Sequence, residues 1–513
     1  MEELTHECGI AAVVLKKPLD YYPTGGALHA LWLMLNNQQH RGQESCGFYT
    51  YNPERNSALD GDKGPGLVNE FFRFNKPTER EQRLKDYAGT VAAGNIRYST
   101  SGKPTTLRDL IEEAQPFYRR NGVPRLRFTI QWNGTLANDK ELKKYLQETY
   151  GIKPETAVDT ELLVHLLGQH LEQQHLNQHP ADYLATLRNL EQRVDGGVSI
   201  ILLNGEGHLF AYRKEPGIRP LCWGENEDYF AVASESCAFQ PLNIKKVHTF
   251  KPGEALTYID KPLFTQLGNA HIRHICFFEG NYFSKATSEL DEVSIYRLRR
   301  GLGEQLAQEE PLREHLDDSY VVLPVPDTSL PAARAYAERL GLRCIEALIK
   351  NPHAGRTFIE KKEMRHLKMD LKFDCIYGEI EGKNILLVDD SVVRGSTTDH
   401  LVQFINRRFQ PASIHPRSTT PPIRHPCFYG VDIPSRKELI AALYVDTTAL
   451  EQHFVERFGV TSMHYLSLPG MLKVYEHYGI PAEQLCAACL TGDYPTPYGQ
   501  QRAAEDLHDN HPI

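Results

Sequence analysis

The stretch NILLVDDSVVRGSTTDHLVQF, residues 384–404, decides the fold of the second half of the chain. Residues 385–388 form a continuous apolar run, as expected for a strand buried on both faces of a parallel sheet. Asp389 and Asp390 end this run, and ligands of open parallel sheets bind at that carboxyl edge. The loop 391–398 then offers a glycine, small hydroxyl residues and successive backbone N–H groups ahead of a helix. The sequence therefore predicts a phosphate cradle, beside which two carboxylates suit a ribose diol and a magnesium ion.

The two halves of the chain differ in the order of their strand-like and helical hydrophobic patterns. After about Glu289, strand-like runs such as SYVVLPVPD alternate with helical runs such as SLPAARAYAERLG, which predicts a parallel sheet with crossover helices. Up to about Asp260, short strand-like runs such as GGVSIILLNG dominate, which predicts antiparallel sheets covered by helices. The weakly patterned KPLFTQLGNAHIRH, residues 261–274, is our candidate linker.

Composition narrows the class of protein. The 513 residues, 41% of them hydrophobic, can bury large cores in two or three domains. No apolar run reaches the roughly 18 residues of a membrane span, and the N-terminus lacks the features of a signal peptide. We therefore expect a cytoplasmic protein without a membrane partner. A net charge of -9 argues against nucleic acid as the main partner, and ten cysteines are too sparse for a disulfide scaffold.

Several segments carry a resemblance to a known family. NILLVDDSVVRGSTTDHLVQF resembles the phosphoribosylpyrophosphate (PRPP) loop of type I phosphoribosyltransferases. LPVPDTSLPAARAYAERLGL, IKNPHAGRTFI and TTPPIRHPCFYGVDIPS resemble the glutamine PRPP amidotransferases, which commit PRPP to purine synthesis. The resemblance runs nearly end to end. It implies an α+β N-terminal-nucleophile glutaminase domain, an αββα sandwich, followed by an α/β type I phosphoribosyltransferase domain.

The resemblance also implies where the chain divides. The expected segments are a propeptide (1–7), the glutaminase domain (8–262), the phosphoribosyltransferase domain (263–475) and a C-terminal tail (476–513). In this family the catalytic cysteine becomes the first residue, so that its free α-amino group, whose ordinary pKa is about 7.7–8, can act as the base for its own thiol. Cys8 resembles that nucleophile, and Met1 to Glu7 resemble a leader removed before it.

The glutamine site implied by the resemblance draws on four further motifs. NNQQHRGQESCG contains Arg41, and GNIRYSTSG contains Arg97, whose guanidinium would grip the substrate carboxylate. WNG contains Asn133 and Gly134, which resemble the oxyanion hole of the family. VDTE contains Asp159, which would pair with the α-ammonium group of glutamine.

The PRPP site implied by the resemblance centres on the loop after the two aspartates. Thr328 would join Asp389 and Asp390 near the Mg²⁺ ion. The expected PRPP-binding residues are Lys350, Arg356, Asp389, Asp390, Ser391, Arg394, Gly395, Ser396 and Thr397.

Four cysteines form a separate group of candidates. The spacing of the CxxC in QLCAACLTGDYP suits a tetrahedral metal site, and the residues alone allow zinc or an iron–sulfur cluster. The resemblance implies a [4Fe–4S] cluster, because one branch of the family has cysteines in these contexts. Its ligands would be Cys276, Cys427, Cys486 and Cys489. Cys237 is the alternative to Cys276, and we prefer Cys276 because its context matches better. Because the tail is short and polar, we expect the cluster to attach it to the synthase domain.

Some positions depart from the family pattern. Asn95 and Trp132 stand where histidines are common and Lys214 where an aspartate is common, so the wall of the glutamine pocket can be repacked. Pro352 and His353 replace an Arg-Tyr pair in the loop that closes over PRPP. The departures at Trp132 and Pro352 keep open an amidotransferase of the same architecture with another acceptor. A non-catalytic sensor of PRPP or nucleotides is a second alternative, because phosphoribosyltransferase folds also serve as ligand-binding domains.

The activity implied by the resemblance couples two reactions. Glutamine is hydrolysed at Cys8, and the ammonia released attacks the anomeric carbon of PRPP to give 5-phosphoribosylamine, glutamate and pyrophosphate. Purine nucleotides are the expected feedback inhibitors, and the expected assembly is a homo-oligomer, either a dimer or a tetramer.

Overall fold

The computed structural model describes most of the chain. The described residues are 8–55, 57–98, 106–156, 158–351, 371–433 and 435–509. The expected propeptide, residues 1–7, lies outside them, as do Pro352, His353 and Arg356. No helix in the described ranges combines the length and the apolar character needed to cross a membrane.

The first half of the chain contains thirteen strands in the described residues. They are β1 Gly9–Leu15, β2 Ser45–Tyr51, β3 Leu59–Pro65, β4 Val91–Arg97, β5 Phe117–Arg119, β6 Phe128–Leu136, β7 Gly196–Asn204, β8 Leu209–Arg213, β9 Cys222–Glu225, β10 Tyr229–Ala233, β11 Val247–Thr249, β12 Glu254–Tyr258 and β13 Pro262–Gln266. The helices of this half are α1 Ala27–Asn37, α2 Val68–Phe71, α3 Pro77–Asp86, α4 Leu107–Glu112, α5 Asp139–Tyr150, α6 Asp159–Leu176 and α7 Tyr183–Arg193.

These elements form two antiparallel sheets packed face to face. The first sheet has the order β11-β9-β10-β1-β4-β2-β3 and the second the order β13-β12-β8-β7-β6-β5. Ile10 of β1 and Ile201 of β7 belong to the apolar layer between the sheets. Leu31 of α1 packs on the outer face of the first sheet, and Leu163 of α6 on that of the second. The result is the expected αββα sandwich, in which β1 is buried throughout.

The second half of the chain alternates strands and helices. Its strands are β14 Ile275–Cys276, β15 Glu289–Leu290, β16 Val293–Ser294, β17 Tyr320–Pro324, β18 Arg343–Cys344, β19 Leu348–Lys350, β20 Phe373–Cys375, β21 Asn384–Asp389, β22 Ser413–Ser418, β23 His464–Tyr465 and β24 Leu485–Cys486. Its described helices are α8 Ile295–Gln308, α9 Leu330–Leu340, α10 Ser396–Phe409, α11 Thr447–Phe458, α12 Leu468–His477, α13 Ala488–Thr491 and α14 Pro497–Asp509.

A five-stranded parallel sheet organises this half, with the order β18-β17-β21-β22-β23. Strand β21 lies at its centre and is buried on both faces, as the apolar run 385–388 predicts. Leu386 and Val388 contribute to the core on one face, and Ile385 and Leu387 to the core on the other. Asp389 ends β21 at the carboxyl edge, where β17 also ends.

Two segments, the candidate linker and the C-terminal tail, differ from what the sequence predicts. Residues Pro262–Gln266 of the candidate linker form β13, which pairs with β12 in the second sheet of the sandwich. The expected boundary after residue 262 therefore falls inside a strand. We therefore propose that the first domain extends to Gln266. The tail is less polar in its contacts than expected, because Leu485, Leu490 and Tyr494 are buried in the core of the second half.

Candidate active sites

Cys8 lies at the start of β1, where the first sheet of the sandwich begins. Its side chain is buried, and its Sγ atom lies 3.6 Å from the carbonyl oxygen of Tyr98. Burial raises the pKa of the Cys8 thiol, and a backbone hydrogen bond with Tyr98 and the charge of Arg97 lower it in part. Asp159 also acts on this pKa and raises it. The thiol therefore needs a proton acceptor to become a nucleophile near neutral pH.

The other expected glutamine-site residues converge on the same end of the sandwich. Arg97, the last residue of β4, is buried and pairs with Glu113 at 3.4 Å. Asn133 is buried on β6, where its Nδ2 atom donates to the Ser234 hydroxyl at 3.5 Å. Among the described residues, the Asn133 Oδ1 atom has no hydrogen-bond partner. Asp159 is the first residue of α6, and its Oδ2 atom accepts the backbone N–H of Leu136 at 3.1 Å.

Gly134 follows Asn133 in β6 with a φ of +146°, a conformation that favours glycine. A methyl group at this position would overlap the carbonyl oxygen of Gly197 on β7 and stand 2.9 Å from the indole nitrogen of Trp132. The requirement for glycine here is therefore both conformational and steric.

Arg41 occupies a buried ion-pair network between the two halves. Its Nε atom donates to the backbone carbonyl of Cys8 at 3.4 Å, and its guanidinium pairs with Glu235 at 2.9 Å and with Glu279 at 2.7 Å. Burial opposes the charged form, but the two carboxylates together raise the pKa of Arg41. Sequence reasoning linked Arg41 to the substrate, whereas its described contacts are with the nucleophile's backbone and two acidic side chains.

Two of the departures from the family pattern, Asn95 and Trp132, lie near each other. The Gln115 Oε1 atom accepts the backbone N–H of Trp132 at 2.7 Å and the Asn95 side-chain amide at 3.4 Å. Trp132 is buried, and its indole N–H has no hydrogen-bond partner among the described residues. Lys214 instead pairs with Glu191 at 3.1 Å. Asn95 and Trp132 are therefore connected through the Gln115 side chain, next to Asn133 on β6.

A cavity of about 600 Å³ opens at the carboxyl edge of the parallel sheet. Seven expected PRPP-site residues line it, together with Thr328: Lys350, Asp389, Asp390, Ser391, Arg394, Gly395 and Thr397. Ser396 begins α10 beside them. The first half also reaches this cavity through Asn37 and His40.

The two aspartates are held close together in a buried environment. The backbone N–H of Asp390 donates to the Asp389 carboxylate at 2.9 Å, and the hydroxyls of Thr328 and Ser391 donate to the Asp390 carboxylate. Burial raises the pKa of both carboxyl groups, and the Asp390 charge raises that of Asp389 further. Hydroxyl groups and backbone therefore orient two adjacent oxygen ligands toward one cavity.

Two cationic residues of this cavity were missed by sequence reasoning. Arg299 of α8 is buried and donates to the backbone carbonyls of Gly280 and Ser284. Lys372 lines the cavity wall, and burial lowers the pKa of its ammonium group. Neither residue lies in a recognisable motif, because each reaches the site only through the tertiary fold.

The four candidate cluster cysteines come together from three separate segments. Strands β14 and β24 pair in parallel with Cys276 opposite Cys486. The carbonyl oxygen of Cys489 accepts backbone N–H groups at the start of the loop that contains Cys427. Burial raises the pKa of the thiols of Cys276, Cys486 and Cys489, and the neighbouring cysteines raise it further.

A buried arginine lies next to the four candidate cluster cysteines. Arg219 is fully buried and lies 3.5 Å from Glu279. Burial opposes its charged form, but Cys276, Glu279, Cys427 and Cys486 raise the pKa of its guanidinium.

Cys237 lies in a different place from the four candidate ligands. Its Sγ atom is 3.4 Å from the Glu235 carboxylate, which in turn bonds His40 at 2.9 Å.

Comparisons with known proteins cover almost the whole chain. The family profile described as a glutamine amidotransferase domain matches residues 105–241. An amidophosphoribosyltransferase of Methanothermobacter thermautotrophicus is 34% identical and covers 96% of each chain, and one of Bacillus subtilis is 32% identical over 96% of this chain and 95% of the relative.

Solved structures agree with these relatives. One described as glutamine PRPP amidotransferase from B. subtilis complexed with ADP and GMP superposes with a TM-score of 0.80 at 30% identity, over 96% of this chain and 98% of that one. Another, described as the allosteric regulatory enzyme of purine biosynthesis, gives the same TM-score and identity over 96% and 97% of the two chains.

Proposed function

The chain belongs to the amidophosphoribosyltransferase family, and we propose that it converts glutamine, PRPP and water into 5-phosphoribosylamine, glutamate and pyrophosphate. This is the first committed step of purine biosynthesis. The observation that carries the proposal is that one chain combines a buried Cys8 near Arg97, Asn133 and Asp159 with a cavity of about 600 Å³ around Asp389. A sensor of PRPP would have no use for the first of these two sites.

In the glutamine half-reaction, Cys8 attacks the side-chain amide of glutamine. Its own α-amino group, freed by removal of Glu7, takes the thiol proton, which the raised pKa of the buried thiol makes necessary. The Asn133 amide and the Gly134 backbone N–H stabilise the tetrahedral oxyanion, ammonia leaves, and water hydrolyses the resulting glutamyl thioester. Arg97 and Asp159 hold the carboxylate and the α-ammonium group of the substrate.

Arg41 has a positioning role in this proposal. Its guanidinium is engaged by Glu235 and Glu279, while its Nε atom holds the carbonyl of Cys8. We therefore assign to it the orientation of the nucleophile's backbone and of the interface between the halves.

In the second half-reaction, ammonia attacks the anomeric carbon of PRPP in the cavity at the sheet edge. Asp389 and Asp390 bind the ribose hydroxyls, and the loop 391–397 binds the 5-phosphate through backbone N–H groups and hydroxyls. Arg299 and Lys372 add positive charge near the pyrophosphate. Asn37 and His40 of the first half line the same cavity, which supports direct delivery of ammonia between the sites.

The residues at the cavity fit a magnesium ion. Two adjacent carboxylates and the Thr328 hydroxyl are hard oxygen donors that line the same cavity. Bound there, Mg²⁺ would neutralise charge on the pyrophosphate leaving group.

The four cysteines fit a [4Fe–4S] cluster. Cys276, Cys427, Cys486 and Cys489 supply four thiols from three segments, and the buried charge of Arg219 offsets the negative charge of thiolate ligands. When bound, such a cluster would cross-link these segments and supply no step of either half-reaction.

A structural relative suggests how this chain is regulated. The structural relative from B. subtilis is complexed with ADP and GMP. We propose that purine nucleotides inhibit this chain as well and that it acts as a homo-oligomer.

An anaerobic assay with glutamine and PRPP tests the proposed function. Glutamate and pyrophosphate should appear in equal amounts, and the intact mass of the active protein should correspond to a chain that begins at Cys8. Glutamate release without pyrophosphate would contradict the synthase half. Full activity in a protein that retains residues 1–7 would contradict the free-amine base.

A further inference from the structure

A loop of the second half lies directly against the strand that carries Asn133 and Gly134. A methyl group added at Gly430 would stand 3.1 Å from the Cα atom and 3.2 Å from the carbonyl carbon of Gly134. The φ of Gly430 is +115°, so its backbone also favours glycine. The two backbones therefore meet with no side chain between them.

The same loop also contacts the neighbouring strand. Gly197 of β7 pairs with Thr135 of β6, and a methyl group at Gly197 would overlap the carbonyl oxygen of Tyr429. Three glycines, at positions 134, 197 and 430, thus allow a close backbone contact between the halves. Backbone atoms cannot rotate away as side chains do, so a shift of this loop is passed to Gly134.

Several hydrogen bonds fix the loop. The backbone N–H of Tyr429 donates to the Cys427 Sγ atom at 3.4 Å, and the Tyr429 hydroxyl bonds Thr496 in the tail at 2.9 Å. The tail itself is tied to the first half, because the backbone N–H of Tyr498 donates to Asp195 at 3.1 Å, immediately before β7.

We propose that the loop 427–430 is a positioning element of the glutamine site. It fixes the backbone of Gly134 from the second half of the chain, so that the oxyanion donors are aligned only when the two halves are docked. Glutamine hydrolysis then depends on a residue, Gly430, that touches no substrate. This inference rests on the proposed function, because it assumes the assigned oxyanion hole at Asn133 and Gly134.

The test compares Gly430→Ala with Gly341→Ala in the full chain, purified anaerobically. Gly341 also has a positive φ, +72°, but a methyl group there meets nothing within 4 Å among the described residues. Oxyanion donors act in the transition state, and displacement by a few tenths of an ångström should lower kcat for glutamine hydrolysis by at least about 10-fold in Gly430→Ala. The KM for glutamine should stay within about twofold, because Arg97 and Asp159 are untouched.

Two further measurements separate a positioning effect from a folding defect. Alkylation of Cys8 by iodoacetamide, which needs no oxyanion hole, should proceed at the wild-type rate in Gly430→Ala. Synthesis from ammonia and PRPP should also be unchanged. If Gly430→Ala does not fold, Tyr429→Phe, which loses only the bond to Thr496, should lower the same kcat by at least about twofold.

The outcomes distinguish the inference from the function on which it rests. Wild-type protein that releases no glutamate from glutamine would overturn the proposed function and this inference with it. Active wild-type protein, with Gly430→Ala equal to Gly341→Ala in kcat, would overturn the inference alone. Equal loss of ammonia-dependent and glutamine-dependent synthesis in a folded Gly430→Ala would also overturn it.

Discussion

At the scale of one residue, burial determines how readily the Cys8 thiol loses its proton. Burial raises the pKa of Cys8, so the thiolate is scarce near neutral pH unless a base is at hand. No other side chain is needed as that base if the α-amino group of the same residue is free. The resemblance of residues 1–7 to a removed leader predicts this role for Cys8. No sequence pattern predicts the ion pair of Arg41 with Glu279, because those residues are far apart in sequence.

Cys8→Ala should abolish the use of glutamine and leave the use of ammonia intact. The reason is spatial separation: Cys8 begins the sandwich, and the PRPP cavity lies at the edge of the parallel sheet. Pyrophosphate release should be measured with glutamine and with ammonium chloride as alternative nitrogen sources. Loss of both activities would show that the two sites are not separable in this way.

Asp390→Asn should lower phosphoribosylamine formation by at least about 100-fold, because it removes an anionic acceptor from a desolvated site. Basal glutamine hydrolysis should survive, but its stimulation by PRPP should disappear. The matched control is Asp399→Asn in the first turn of α10, whose carboxylate bonds Gln403 instead. Unchanged PRPP-dependent turnover in Asp390→Asn would place the substrate elsewhere.

At the scale of elements, a strong hydrophobic pattern predicts the observed strand, whereas a weak pattern does not. The apolar run of β21 predicted a strand buried on both faces because each of its residues meets a core. The run PLFTQ was assigned to a linker, yet it forms β13, since an edge strand of five residues carries too little pattern to stand out. Pairing with β12, which only the tertiary structure supplies, stabilises it.

Strand β22 gives a prediction about acid stability. Both ring nitrogens of His415 bond serine hydroxyls at 2.8 Å, those of Ser413 and Ser462. Burial, together with the charge of Arg417, lowers the pKa of His415 to about 4. Because the unfolded state takes up a proton near its ordinary pKa of about 6.5 and the folded state does not, this residue makes stability fall as the pH drops from about 6.5 to about 4.

Urea unfolding at pH 7.5 and at pH 4.5 measures this contribution. The drop in unfolding free energy between the two pH values should be smaller in His415→Gln than in the wild type, although the variant starts from a lower stability. His477→Gln, a change at an exposed histidine of α12, should keep the wild-type pH dependence. An identical drop in His415→Gln would show that His415 does not titrate as argued.

At the scale of the whole molecule, the tail joins the two halves. Leu485, Leu490 and Tyr494 are buried in the core of the second half, and Arg502 pairs with Asp139 of the first. Sequence composition suggested a polar tail, because its few apolar residues are scattered and only the fold brings them to one core. Sequence context predicts the four cysteines as one group, but the packing of the loop 427–430 on Gly134 has no sequence signature beyond three separate glycines.

The four-cysteine centre should govern the stability of the whole molecule rather than one catalytic step. Cys489 belongs to the tail, and Cys276 lies at the start of the second half. Loss of one ligand would therefore weaken the attachment of the tail to the second half. Cys489→Ser should therefore lower the unfolding free energy measured by urea and reduce glutamine-dependent and ammonia-dependent synthesis together. Cys344→Ser, at a half-buried cysteine on β18, is the matched control and should behave as wild type.

Measuring iron, sulfide and zinc in the same preparations identifies the metal group bound by the four cysteines. Anaerobically purified wild-type protein should be brown and contain about four irons and four sulfides per chain, because that is the stoichiometry of a [4Fe–4S] cluster. Cys489→Ser should lose this iron, whereas Cys344→Ser should keep it. Exposure to air should bleach the wild type and destabilise it, since cluster loss removes the cross-link between three segments. Colourless wild-type protein with one zinc per chain and full activity in air would contradict the cluster and leave a structural zinc site in its place.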